Sequence, residues 1–95
     1  MDTRQIEYIL QIAEENNITK AAEKLFITQS ALNQQLLKLE RELGTPLFQR
    51  TKNKWCLTDA GRIYVEGARK MIQIKKDTYN QLYDVSRLRK GLLNI

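Results

Sequence analysis

The chain has 95 residues, 42% of them hydrophobic, with sixteen Lys and Arg against eleven Asp and Glu for a formal charge of +5. That length holds one small domain rather than two. The lack of His excludes Ser-His-Asp catalysis and Cys/His zinc sites, and the single Cys56 can form neither an internal disulfide nor a thiolate cluster.

No apolar run approaches the roughly 18 residues that cross a bilayer. The opening MDTRQIEYILQIAEE carries acids and no small-residue cleavage site, unlike a secretory signal. The expectation is a basic, cytoplasmic protein that is no enzyme, with no membrane partner, no cofactor and no metal. Charge is unevenly spread. Residues 1–43 hold five basic and seven acidic side chains, whereas residues 44–76 hold eight basic ones against Asp59 and Glu66. A solvated face and a polyanion-facing surface both fit such a block.

In chain order, the first helix is predicted from about Thr3 to Asn16, with Ile6, Ile9, Leu10 and Ala13 on its inner face. A short second helix, Lys20 to Leu25, comes next with Thr19 as its N-cap and Ala21, Ala22 and Leu25 inward. After Phe26-Ile27 and a second capping residue, Thr28, a third helix spans Gln29 to Leu43. Leu32, Leu36, Leu39 and Leu43 mark its buried face, and Ser30, Asn33, Gln34, Lys38 and Arg41 its polar face. Gly44 and Pro46 end it.

Leu47 to Gln49 and Trp55 to Leu57 read as two short strands around Thr51-Lys52-Asn53-Lys54, with Asn53 suited to a positive backbone angle. Phe48, Trp55 and Leu57 are expected inside. Thr58 then caps a helix running to about Lys90, a rod of roughly 50 Å. Its apolar positions spread over more than one stripe, and the register through Ala68, Met71, Thr78, Leu82 and Val85 puts Lys75 in the seam. This fits a near end packed on its own domain and a far end paired with another chain.

A short helix, a tight turn and a longer helix with a polar outer face form a helix-turn-helix. The DNA major groove, about 12 Å wide, accepts one α-helix, and a reading helix needs another behind it. Gln29, Ser30, Asn33 and Gln34 would enter the groove, their amides suited to bidentate reading of adenine. The helix starts at Thr19 and Thr28 would offer backbone N–H groups to phosphates. Arg50, Lys52 and Lys54 form a basic tip for the backbone, with Arg50 alternatively a guard against strand-edge aggregation. Phe48, Trp55 and Tyr8 read as core aromatics, and Cys56 as inert. Glu40 is left to pair with Arg41 or with a hairpin residue.

The stretch AAEKLFITQSALNQQLLKLERELGTPLFQRTKNKWCLTDAG resembles the start of LysR-type bacterial transcription regulators, whose pattern is approximately AA..L..SQPALS.QI..LE..LG..LF.R......LT.AG. The matches include Ala21-Ala22, Thr28-Gln29-Ser30-Ala31-Leu32, Leu39-Glu40, Leu43-Gly44, Leu47-Phe48, Arg50, Leu57-Thr58 and Ala60-Gly61. The resemblance implies a mainly α winged helix-turn-helix over residues 1–58, a linker and dimerisation helix over 59–90, and the start of an effector-binding domain at 91–95. It also implies a homodimer pairing antiparallel through the long helix and binding an interrupted palindrome in double-stranded DNA.

By the same resemblance, the full-length protein is a tetramer whose small-molecule effector binds in the further domain. Gln29, Ser30, Asn33 and Gln34 lie at the major groove; Arg50, Lys52 and Lys54 lie at the backbone or minor groove. Lys38 joins Thr19 and Thr28 among the backbone contacts. The family usually has Ser in place of Asn33 and often Arg in place of Gln34, so an A·T-leaning half-site is expected here. Ser30 replaces a frequent Pro. The rival readings are a coiled-coil adaptor, a nucleoid-type DNA binder without sequence preference, and a different winged-helix family.

Overall fold

The computed structural model describes residues 2–51 and 54–93, with side chains as far as residue 87. Three helices, α1 (Thr3–Glu15), α2 (Ile18–Leu25) and α3 (Gln29–Leu43), precede a hairpin of β1 (Phe48–Thr51) and β2 (Lys54–Leu57), and α4 (Asp59–Leu93) comes last. This is the mainly helical winged helix-turn-helix expected. Asn53 and its backbone angle, together with Lys52, lie outside the described residues.

Each of the first three helices is closed at both ends by its own residues. Asp2 accepts the Gln5 N–H and Thr28 accepts the Ala31 N–H, while Asn16 and Gly44 take the left-handed conformation behind α1 and α3. The expected cap of α2 is corrected. Asn17, in extended backbone, accepts the Lys20 N–H, and Thr19 lies inside the first turn. Asn16 can end one helix and Asn17 begin the next because adjacent Asn residues serve both roles, left-handed and extended. Phe26 ends α2 at φ 58° with its ring 94% exposed.

The core gathers Ile9 and Ile12 of α1, Ile18, Ala21 and Ala22 of α2, Leu32, Leu36 and Leu39 of α3, and Leu47 and Phe48. Leu25 packs against this cluster from α2. The buried face of α1 is turned from the one expected: Gln5, Ile6, Ile9 and Ile12 are buried, and Leu10 and Ala13 only half so. Helix α1 packs against α2, α3 and α4, and these three neighbours together decide which of its residues are buried.

The hairpin is antiparallel, with Phe48 opposite Leu57, Gln49 opposite Cys56, Arg50 opposite Trp55 and Thr51 opposite Lys54. Both strands extend further toward the tip than the hydrophobic pattern indicated, and Leu47 is buried just ahead of β1. Thr58 joins the hairpin to α4. Its N–H donates to the Leu47 carbonyl, its hydroxyl to the Pro46 carbonyl, and its oxygen accepts the Gly61 N–H.

Val65 and Ala68 of α4 are buried against the body, and Lys75 meets Glu7 of α1 at 3.8 Å. Beyond that point the helix projects, giving overall dimensions of 63 × 25 × 20 Å. Two expectations change. Ala68 belongs to the intramolecular contact, not to an outer seam, and Lys75 is turned toward α1. The helix also continues through Leu93, three residues past its expected end at about Lys90; Asn94 and Ile95 lie outside the described residues.

Candidate nucleic-acid interface

The start of α3 stands outward because its leucines face inward. Leu32, Leu36 and Leu39 pin one side against α2 and α1, leaving Gln29, Ser30, Gln34 and Lys38 exposed and Asn33 half-exposed. The observed bracing of α3 by Ala21, Ala22 and Leu25 agrees with the sequence reading. Ala21 and Ala22 are small enough for close helix approach, and both are buried.

Two amides of this face are oriented by neighbours. The Thr19 hydroxyl donates to Gln29 Oε1 at 2.9 Å, tying the first turn of α2 to that of α3. Arg50 Nη2 donates to Asn33 Oδ1 at 3.1 Å, tying the wing to the same helix. Arg50 is held in turn by Trp55, whose ring centroid lies 4.3 Å from the guanidinium carbon, a cation–π distance. Trp55 also meets Phe48 edge-on, with centroids 5.7 Å apart. One face of the hairpin therefore carries Phe48, Leu57, Trp55 and Arg50 in sequence from core to surface.

The expected site residues thus fall into two groups. Gln29, Ser30, Asn33 and Gln34 share one exposed face, and Arg50 reaches it from the wing. Thr28 uses its side chain to cap α3, so only its neighbouring backbone is offered outward. Thr19 acts through its hydroxyl on Gln29 rather than as a helix cap. Lys38 is exposed further along α3, Lys54 is exposed at the start of β2, and Lys52 lies outside the described residues.

Two roles were not assigned from sequence. Trp55 is the platform for Arg50, a pairing set by the hairpin register, which alone places the two opposite each other. Glu40 accepts the Leu47 N–H at 2.6 Å, so of the two partners left open it takes the hairpin side, through the backbone entering β1, and not Arg41. Cys56 points away from this face and is exposed. Among the described residues no cluster of metal-ligating side chains occurs, and no helix is long and apolar enough to cross a membrane.

The sequence and the fold are similar to those of known proteins. Residues 3–62 match the family model of bacterial regulatory helix-turn-helix proteins of the lysR family. YcgK, an uncharacterized HTH-type transcriptional regulator of Bacillus subtilis (strain 168), is 41% identical over 90% of this chain and 26% of its own length. The HTH-type transcriptional regulator BudR of Klebsiella aerogenes is 36% identical over 100% of this chain and 66% of its own.

Among solved structures, the BenM DNA-binding domain in complex with catB site 1 DNA superposes with a TM-score of 0.86 at 30% identity, covering 90% of this chain and 97% of that one. The CbnR DNA-binding domain in complex with DNA gives 0.83 at 29% identity, covering 90% and 99%. A mainly helical winged helix-turn-helix with an outward amide-rich helix defines a DNA-recognition class of fold. The chain belongs to the lysR family of bacterial helix-turn-helix regulators.

Proposed function

We propose that the chain is the DNA-reading and dimerising part of a transcription regulator, recognising an interrupted palindrome in double-stranded DNA as a homodimer. The observation that carries this reading is the exposed start of α3, where Gln29, Ser30, Asn33 and Gln34 stand beside Arg50 of the wing. A helix presented in this way fits the major groove, and its side chains reach base edges there.

Thr19 and Thr28, at the starts of α2 and α3, lie where backbone N–H groups meet phosphates, with Lys38, Arg50, Lys52 and Lys54 supplying positive charge. YcgK and BudR are regulators, and the BenM and CbnR domains were solved on DNA. The exposed apolar stripe of α4 supports pairing with a second copy. The reading assigns regulation, not catalysis, to a cytoplasmic protein.

Genomic footprinting with wild type and Gln29→Ala tests the reading. Discrete protected sites that blur into weak, unselective binding in Gln29→Ala are expected. Identical footprints, or an affinity indifferent to salt, would refute base reading by α3, because neutralising roughly five phosphates per subunit imposes a steep salt dependence.

A further inference from the structure

Arg50 is held beside α3 by neutral groups. Its guanidinium carbon lies 4.3 Å from the centroid of the Trp55 ring, and its Nη2 donates to the Asn33 amide oxygen at 3.1 Å. Among the described residues no carboxylate pairs with it. The distinction matters to a polyanion. A carboxylate would fix the side chain but offset its charge, whereas an aromatic face attracts the cation as a whole and adds no negative charge. Asn33 takes one of the five guanidinium N–H donors, so the others stay open to an anion.

Trp55 is itself fixed. Its ring meets Phe48 edge-on with centroids 5.7 Å apart, and Phe48 is buried. Its backbone N–H donates to the Asn16 carbonyl behind α1, 3.4 Å away, and the hairpin register sets it opposite Arg50. An arginine free to sample its rotamers must be ordered when it meets a phosphate, and that ordering counts against affinity. Here much of the ordering is already made in the free protein. We infer that Trp55 is a positioning residue for DNA binding, presenting Arg50, ordered and with its charge uncancelled, to the phosphate backbone beside α3. The inference rests on the proposed DNA-reading function and concerns affinity for the backbone, not base choice.

Binding of a fluorescently labelled duplex of mixed sequence at low salt, read by anisotropy, tests this, because phosphate contacts need no particular operator. The proteins are wild type, Trp55→Leu, Trp55→Phe, Arg50→Met and the double variant of Trp55→Leu with Arg50→Met, each checked for folding by circular dichroism. Trp55→Leu is expected to weaken binding by roughly fivefold, and Trp55→Phe, which keeps a ring face, by less. With Arg50→Met already in place, Trp55→Leu costs nothing further. The cycle removes any general loss of wing packing, since both proteins carrying Trp55→Leu share it. If Trp55→Leu does not fold, the cycle is run with Trp55→Phe, whose smaller loss must likewise vanish beside Arg50→Met.

Wild-type affinity in Trp55→Leu, a loss of the same size with and without Arg50, or wild-type affinity in Arg50→Met overturns the inference while leaving DNA reading intact. A wild type that does not bind the duplex overturns the DNA-reading function and the inference with it.

Discussion

The carboxylate of Glu40 accepts the backbone N–H of Leu47 at 2.6 Å, joining the last turn of α3 to the chain entering the wing. Leu47 is buried, so its N–H has little access to water once that acceptor is gone. The backbone carbonyl of Glu40 also accepts from Gly44 and Thr45, so one residue both closes the helix and anchors the start of the hairpin. Glu40→Ala is expected to lower stability by about 2 kcal/mol, the cost of an orphaned buried donor. Glu40→Gln retains an acceptor and should lose less. Urea unfolding of the two variants checks the order; equal losses would mean the hydrogen bond is not what Glu40 contributes.

Gly61 and Gly67 both interrupt α4, yet for different reasons. A Cβ on Gly61 would collide with the backbone carbonyl of Leu47, the same segment that Glu40 and Thr58 hold. A Cβ on Gly67 meets nothing within 4 Å. Gly61→Ala is expected to destabilise by about 3 kcal/mol, because the obstructing atom is fixed backbone. Gly67→Ala should be neutral or stabilise by up to about 1 kcal/mol through helix propensity. Midpoints of thermal unfolding at one protein concentration separate them, and similar effects at both positions would contradict the packing described.

Helix α3 was legible in the sequence to both of its ends, and the reasons are local. Leu32, Leu36 and Leu39 repeat at helical spacing and are buried, Thr28 caps the start and Gly44 the finish; Leu43, expected on the same buried face, is 41% exposed in the last turn. Where two residues compete for one role, local reading is weaker: Asn17 and Thr19 are both good caps, and the outcome depends on Asn16 having already turned the chain. The burial of Gln5 depends on which helices surround α1. The link between Asn33 and Arg50 joins residues 17 apart in sequence, and it exists only because the hairpin register sets Arg50 over Trp55. Pattern indicates which face is polar; only the folded wing decides which atom of an amide that face presents.

The Tyr64 hydroxyl is buried and has no hydrogen-bond partner among the described residues, and burial pushes its pKa above the ordinary 10.0. Its ring packs against the main core. An unpaired hydroxyl costs free energy that the ring does not need, so Tyr64→Phe is expected to stabilise by about 1 kcal/mol. A loss of stability in chemical denaturation would show that the hydroxyl is in fact satisfied.

Lys24 of α2 reaches Glu15 at the end of α1, 2.6 Å away, and this hydrogen bond holds the Glu15 carboxyl below its ordinary value of 4.5. A depressed carboxylate pKa means that the contribution to folding is present above 4.5 and is lost as pH falls through the lower, folded value. Lys24→Met should therefore be less stable than wild type at neutral pH, with the gap narrowing in acid. Denaturation midpoints across that range test it, and a gap that widens on acidification would reverse the assignment.

The outer face of α4 carries an unpartnered apolar stripe. Ile63, Met71, Ile74, Leu82 and Val85 are all exposed, and with Gly67 and Thr78 they lie at steps of three and four along one side of the rod. The opposite side, through Val65 and Ala68, is occupied by the chain's own body. A solvent-exposed helix has no use for such a stripe, whereas two copies packed along it would bury both. Ile74, 64% exposed, and Leu82, 59% exposed, stand clear of the core. Each side chain buried in a pair is worth about 2 kcal/mol and occurs twice, so Ile74→Asp or Leu82→Asp should weaken association by roughly a thousandfold. Sedimentation velocity is expected to show a dimeric wild type and monomeric variants, with Trp55 fluorescence unchanged because the winged core is untouched. Monomeric wild type, or variants that stay dimeric, would place the pairing surface elsewhere on the chain.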